Sequence, residues 1–314
     1  MKKEMILPII CAVLGNVIWG CSLLFIRVAL QYASSEQLLA HRFTLSALLM
    51  LIPLMLRKMR FPVKGKSVAP FENVRFSFKG KPLGAVILLM AMQLAYFFFE
   101  TKGILYTNST FAGMVLAAVP IGSIFTGAIF LKEYPTKRQA FFCLLPIAGI
   151  IIMTLSGGEL GVISLPGVVC LFLCMCCSAF YKTANRKAAD AFSTYERTLL
   201  ILGISAVAFT AVSLPAFGWD IRSFLAPLGN ASYTLPVLFL SLLCSIAANL
   251  LVNYSAGKMS VFTLASFGAL STLVSTFLGV VVLDEPVSWM LLTGAAMIVF
   301  GVQQIIRPDK PKKT

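Results

Sequence analysis

Long apolar runs alternate with short polar segments along almost the whole chain. The hydrocarbon core of a bilayer is about 30 Å thick, so a helix needs about 20 mainly apolar residues to cross it. By that rule the pattern predicts ten spans, at roughly 6–28, 37–56, 82–101, 108–131, 138–156, 162–181, 196–217, 234–254, 260–283 and 287–306. Each gap holds turn residues, charges or both. The sequence therefore predicts an all-α polytopic membrane protein of ten transmembrane helices.

The composition agrees with a membrane protein and disfavours a soluble enzyme. Of the 314 residues, 59% are apolar and only 12% are charged, whereas soluble domains carry about twice that share of charge. So apolar a chain has too little polar surface to cover a globule in water. The first run, from Met5 to Leu30, is too long for the apolar core of a cleaved signal peptide, so we interpret it as the first span.

The positive charges predict the orientation of the spans. The net charge of +14 lies in short blocks between apolar runs, rather than on one face of a domain, which argues against nucleic acid as a partner. If the N-terminus is cytoplasmic, 22 of the 26 Lys and Arg residues fall on the cytoplasmic side, where membrane proteins concentrate them. The other four are Arg27, Arg42, Lys102 and Arg222. We expect a multi-pass protein of the cell membrane with both termini in the cytoplasm.

The chain divides into two sets of five spans at the flexible segment 156–161. Because five is odd, the second set would be inverted relative to the first, and inverted repeats are a recurring way to build a transporter. A shift of 152 residues places Leu131-Lys132-Glu133 on Leu283-Asp284-Glu285 and Gly127 on Gly279. We therefore predict one repeat over 1–156, a second over 157–307, and a basic cytoplasmic tail at 308–314.

Several short motifs resemble the drug/metabolite transporter superfamily, in particular its EamA-like ten-helix branch. The motifs are Asn16-Val17-Ile18-Trp19-Gly20-Cys21-Ser22, His41-Arg42-Phe43, Ala112-Gly113-Met114-Val115-Leu116-Ala117-Ala118-Val119-Pro120, Leu131-Lys132-Glu133 with Pro135, and Leu283-Asp284-Glu285-Pro286. The resemblance covers about residues 8 to 305. It implies two inverted five-helix repeats, a central cavity, alternating access, and export or exchange of small polar metabolites, often amino acids. The second half departs from the family pattern, with Ser271-Thr272 where the first half has Pro120 and a cysteine cluster in the sixth span.

Polar residues within the spans are the candidates for a solute site, because polar side chains in a membrane are costly unless they face protein, water or a partner. Gln93, Tyr96 and Glu100 recur at helical spacing and form one polar stripe on the third span. Asn16 and Trp19 lie near the middle of the first span. Hydrogen bonds between helices are the alternative role for Asn16 and Gln93. Packing is the alternative for Trp19 and Tyr96, and an ion pair with Lys102 or Arg42 for Glu100.

Three of the polar residues are charged or titratable. Arg42 lies about one turn inside the second span, where it either reaches the outer headgroups or binds a carboxylate of the solute. Glu100 is a candidate carrier of a coupling proton. His41, the only histidine, is expected at the outer membrane interface.

The second half contributes Asn249, which shares a helix face with Asn253, and the hydroxyls of Ser271 and Thr272 in the ninth span. Pro120 is expected about halfway across the fourth span, where it would free a carbonyl and permit a bend during gating.

No enzyme signature is present in the sequence, and we predict no cofactor and no metal site. With no nucleotide-binding domain in this chain, transport would use a gradient or an exchange. Two functions remain open: a secondary transporter for a small polar metabolite such as an amino acid, and a passive channel or facilitator for small solutes. The sequence leaves the solute, the coupling ion and the oligomeric state undetermined.

Overall fold

The computed structural model describes residues 3–58, 61–63, 66–68, 73–106, 115–116, 118–155, 164–283 and 289–307. Its main helices are α1 Ile6–Ala29, α2 Ser35–Leu56, α3 Gly84–Tyr106, α4 Val119–Leu131, α5 Lys137–Leu155, α6 Leu165–Ala188, α7 Thr194–Ser213, α8 Ala231–Ala256, α9 Val261–Ser266 continued by Gly268–Leu283, and α10 Trp289–Ile306. Every predicted span overlaps one of these helices. The predicted all-α class is confirmed. The physical reason is that a segment in a bilayer must satisfy its backbone N–H and C=O groups internally, which a helix does.

Five of these helices, α1, α2, α6, α7 and α8, are long and apolar enough to cross a membrane by length and composition alone. The chain is therefore a multi-pass membrane protein, while the count of ten crossings stays a prediction. Four predicted features lie outside the described residues: the linker at 156–161, the start of the fourth span at 107–114, the Asp284-Glu285-Pro286 segment and the tail at 308–314.

Small elements occupy the connections. The basic loop after α2 contains a two-stranded antiparallel hairpin, with β1 Phe61–Val63 paired to β2 Lys66–Val68. A short helix, Ile221–Leu225, lies between α7 and α8. The middle of α8, Leu240–Ala247, is a π-helix, a wider winding that is rare and often found at functional sites.

The boundary between α6 and α7 differs from the prediction. We expected the sixth span to end near 181 and the seventh to begin near 196, which assigned Lys182, Arg186, Lys187 and Arg197 to a cytoplasmic loop. Instead α6 runs to Ala188 and α7 begins at Thr194, so all four lie within helices. The cause is a capping box, in which Ser193 and Glu196 satisfy each other's backbone N–H groups and start α7 two residues before the apolar run.

The largest contacts between helices follow the two-repeat arrangement. When each helix of such a contacting pair is replaced by the equivalent helix of the other half, the resulting pair is also in contact. The contacts α3–α6 and α4–α6 have the counterparts α8–α1 and α9–α1, while α2–α7, α4–α9 and α5–α10 are their own counterparts. The pair α3–α6 is antiparallel, because Cys174 lies against Tyr96 and Leu171 against Gly103. This is the packing pattern of two inverted repeats.

Close approach between helices depends on small residues, since membrane helices associate by packing rather than by apolar burial from water. A Cβ added at Gly20 of α1 would lie 2.6 Å from Val274 Cβ and 2.7 Å from the Ser271 carbonyl oxygen of α9. Only glycine permits this contact, which sets the distance between α1 and α9.

Candidate functional site

The polar stripe on α3 faces the interior of the bundle. Ile87 and Phe98, on the opposite side of the helix, are 55% and 57% exposed, as expected for lipid-facing positions. On the inward side, the Tyr96 hydroxyl donates a hydrogen bond to Glu100 Oε1 at 2.5 Å. Gln93 is half-buried and makes no hydrogen bond with any described residue. The stripe thus combines a paired tyrosine and carboxyl group with a free amide.

Arg42 approaches this stripe from α2. Its Nε donates to Ser245 Oγ in the π-helical part of α8 at 2.6 Å. Its two terminal nitrogens make no hydrogen bond with a described residue, although the residue is only 9% exposed. Arg42 and Glu100 are near enough for their charges to attract, yet the described ion pairs do not include this one. A guanidinium fork is therefore available to a carboxylate.

Two side chains donate hydrogen bonds to carbonyl groups in the π-helical part of α8, at or next to Ser245. The Trp19 indole Nε1 of α1 donates to the Cys244 carbonyl at 2.9 Å. Asn249 donates to the Ser245 carbonyl at 2.8 Å and is buried. Asn16 is buried as well and donates to the Ala12 carbonyl of its own helix at 2.7 Å. These three hydrogen bonds stabilise α1 and α8.

His41 is buried within the protein, at 5% exposure. Its Nδ1 lies 2.8 Å from the Tyr233 hydroxyl and its ring packs edge-on against Phe224. Gln37, one turn earlier, donates to the Phe224 carbonyl at 2.7 Å. The short helix Ile221–Leu225 and the start of α8 thus cover this end of α2, and the depth of His41 in the membrane stays a prediction.

Pro120 and the hydroxyls of the ninth span have local roles in the structure. Pro120 is buried in the first turn of α4, where its missing N–H would be unpaired in any residue. Pro120 therefore lies at the beginning of α4 and not within it. A bend at this residue, which stays a prediction, would lie at the start of the described helix. Ser271 donates to the Gly268 carbonyl at 2.7 Å. Thr272 is half-buried and also interacts with another residue.

Sequence reasoning missed a buried polar network at the other end of the bundle. Arg197 of α7 is 1% exposed. Its NH1 donates to the Asn185 carbonyl at 3.0 Å and also to the Asn185 side chain, and its NH2 donates to the Asn253 carbonyl at 2.7 Å. The two asparagine side chains bond each other at 2.7 Å, and Asn253 also donates to Thr198 at 2.8 Å. The capping-box motif of Ser193 and Glu196 was the available signal, because it places Arg197 inside the first turn of α7.

Three further contacts lie at the same end. Thr183 of α6 donates to Thr126 of α4 at 2.7 Å. Glu133, just after α4, accepts from the Val261 backbone N–H at the start of α9 at 2.9 Å and pairs with Arg186 at 3.2 Å. These three contacts join the two halves at this end, whereas the Arg197 network joins α6, α7 and α8 within the second half.

The comparisons with known proteins agree with this architecture. The family model described as the EamA-like transporter family matches residues 6–155 and again 165–307. The "Uncharacterized transporter YcxC" of Bacillus subtilis is 30% identical over 100% of this chain and 99% of its own length. An "Uncharacterized transporter" of Archaeoglobus fulgidus is 21% identical over 98% of this chain and 99% of its own.

One solved crystal structure shares the fold, with a TM-score of 0.74 at 17% sequence identity and 95% of each chain covered. Both the sequence matches and the two matched repeats span nearly the full chain. The chain belongs to the EamA-like transporter family.

Proposed function

We propose that the chain is a secondary transporter that exports or exchanges a small polar metabolite, such as an amino acid, by alternating access. The observation that supports this most is the position of Arg42 between the two halves. Its Nε bonds Ser245 of the second half, while its terminal nitrogens make no hydrogen bond with a described residue. At the opposite end, Thr183 donates to Thr126 and Glu133 accepts from the Val261 N–H, so direct hydrogen bonds also join the halves there. A solute site where the repeats meet, with contacts between the halves that can open and close, is what alternating access requires.

The Arg42 position supplies the chemistry for a zwitterion. Its terminal nitrogens would bind the carboxylate in a bidentate manner. Glu100, already bonded to Tyr96, would accept the ammonium group or carry a coupling proton, and Gln93 would hydrogen-bond other polar groups. Asn16, Trp19, Asn249, Ser271 and Thr272 would support the wall around them.

The site of action follows from the charge distribution. With most Lys and Arg residues between the predicted inner ends of the helices, the positive-inside rule favours the cell membrane with both termini in the cytoplasm. The end that holds the Arg197 network would then be the cytoplasmic one. Modification of cysteines introduced at the two ends, by a membrane-impermeant thiol reagent on intact cells, tests this orientation in a background without the eight native cysteines.

Counterflow in proteoliposomes tests the function. Vesicles loaded with one member of a metabolite panel should accumulate the same labelled metabolite from outside, saturably and only when the protein is present. A passive facilitator would instead give uncoupled flux without stimulation by internal solute, and single-channel currents would indicate a channel. No stimulated exchange with any compound would contradict the transporter.

A further inference from the structure

Lys182 is a cation within a membrane helix that has no partner in the described part of the chain. It lies in α6, six residues before the end of the helix at Ala188. It makes no hydrogen bond, ion pair or cation–π contact there, in contrast to Arg186 one turn later, which pairs with Glu133. Its side chain is surrounded by protein but keeps some accessible surface. An ionisable group in this situation usually serves function rather than folding.

The direction of Lys182 is set by the faces of α6. Leu165, Val169 and Phe172 form the exposed face, at 76%, 50% and 57%. At about 100° per residue, Lys182 lies roughly 80–140° around the helix from these three residues, and within about 20° of Leu171, which is fully buried. It shares its own side of the helix with Ser178, one turn earlier, which is only 9% exposed and makes no described hydrogen bond. The ammonium group therefore points into the bundle.

Other unpaired polar groups lie at the same depth. On α4, Gly122 packs against Ala179 and Thr126 bonds Thr183, which places Ser123 level with residue 180. Ser123 is fully buried and its hydroxyl has no partner.

The α3–α6 register adds a fourth group. Because Tyr96 contacts Cys174, and Leu89 shares a cluster with Ala184, Gln93 is also level with residue 180. Ser178 and Lys182 each lie about 3 Å from that level along the helix axis. Three helices thus bring free donors to one depth.

We propose that Lys182, with Gln93, Ser123 and Ser178 around it, forms a subsite that binds the carboxylate of the solute, and that the solute is a small organic acid with a net negative charge. This rests on the proposed transport function. Within the small polar metabolites it selects an anion, in place of the zwitterion that the Arg42 position alone would accept. Arg42 has the carboxyl group of Glu100 nearby, whereas Lys182 makes no ion pair with any acidic group of the described residues. A site with an excess positive charge in a medium of low dielectric favours an anion over a zwitterion of the same shape.

The test compares pairs of solutes with the same skeleton, in which the first has a hydroxyl group where the second has an ammonium group. The pairs are lactate with alanine, malate with aspartate, and phenyllactate with phenylalanine. Thermal stability of the purified full-length protein gives binding without activity, and counterflow gives transport. The hydroxy acid of at least one pair should bind roughly tenfold or more tightly than its amino-acid twin. A preference for the amino acid in every pair, or no difference, overturns the proposal even if no variant folds.

Variants then locate the effect. Lys182→Met should remove the preference for the hydroxy acid, and Lys182→Arg should keep it. Lys187→Met is the matched control on the same helix, since Lys187 is exposed and pairs only with Asp190; it should behave as the wild type. If Lys182→Met keeps the preference, Lys182 merely extends to the headgroups and the proposal is wrong. Counterflow of neutral diols or sugars without any acid would leave transport intact and refute this inference alone, whereas no counterflow at all refutes the transport function.

Discussion

The second helix of each repeat contains one buried arginine, and the two arginines differ in what their guanidinium groups bind. Arg42 of α2 uses Nε for Ser245 and leaves its terminal nitrogens without a hydrogen bond to a described residue. Arg197 of α7 uses both terminal nitrogens for Asn185 and Asn253 and leaves only Nε unpaired. The repeat thus kept a buried cation in both halves but gave the two copies different partners. We interpret Arg197 as a tie between helices and Arg42 as a contact for solute.

Replacing Arg197 should cost the most. The Arg197→Met variant removes the hydrogen bonds that join α7 to Asn185 of α6 and to Asn253 of α8, and a hydrogen bond from a charged donor contributes about 1.5–3 kcal/mol. We expect a loss of about 3 kcal/mol in the free energy of unfolding, read as a lower melting temperature in detergent and less folded protein in the membrane. Arg197→Lys should recover part of the loss. A melting temperature equal to that of the wild type would show that the network is not a structural tie.

Arg42→Met should give the opposite profile. Only one side-chain hydrogen bond is lost, so the melting temperature should change little. A charge-assisted bond to the solute contributes about 2 kcal/mol, so affinity in counterflow should fall roughly 30-fold. Ser245→Ala is the control, because it removes the same internal bond but keeps the guanidinium. Full transport by Arg42→Met, or loss of folding comparable to Arg197→Met, would remove the distinction between the two arginines.

The asparagines of α8 extend the comparison within one helix. Asn253 bonds Asn185 and Thr198 on other helices, while Asn249 donates only to carbonyls of α8 itself. Asn253→Ala should therefore destabilise the protein by about 2 kcal/mol and Asn249→Ala by less than about 1 kcal/mol. Denaturation of the purified variants measures both values, and equal losses would mean that the contacts between helices add nothing.

Glu100→Gln gives the smallest and most specific effect. The amide keeps the bond with Tyr96 but cannot exchange a proton, so uptake driven by a pH gradient should be lost while exchange at equal pH continues. The Glu36→Gln variant, at the start of α2, is the control. If the wild type does not respond to a pH gradient at all, proton coupling through Glu100 is wrong.

The apolar pattern was sufficient to predict the helices, because a bilayer allows few other structures for such runs. The α3 stripe was also predictable, since Gln93, Tyr96 and Glu100 share a face by spacing alone. The burial of Arg197 and His41 was not, because it depends on which helix covers them. Lys182 was misassigned for a simpler reason: a count of charges between apolar runs treats every Lys near a run's end as a loop residue.

The π-helical segment Leu240–Ala247 suggests how the two halves diverged. An insertion within a helix normally rotates everything beyond it by about 100°, but a π-helical turn absorbs the added residue locally. In this arrangement the last part of α8 keeps Asn253 against Arg197, while the preceding turn presents Ser245 to Arg42. In evolutionary terms, one tolerated insertion is enough to turn a symmetric pair of helices into one tie and one binding wall.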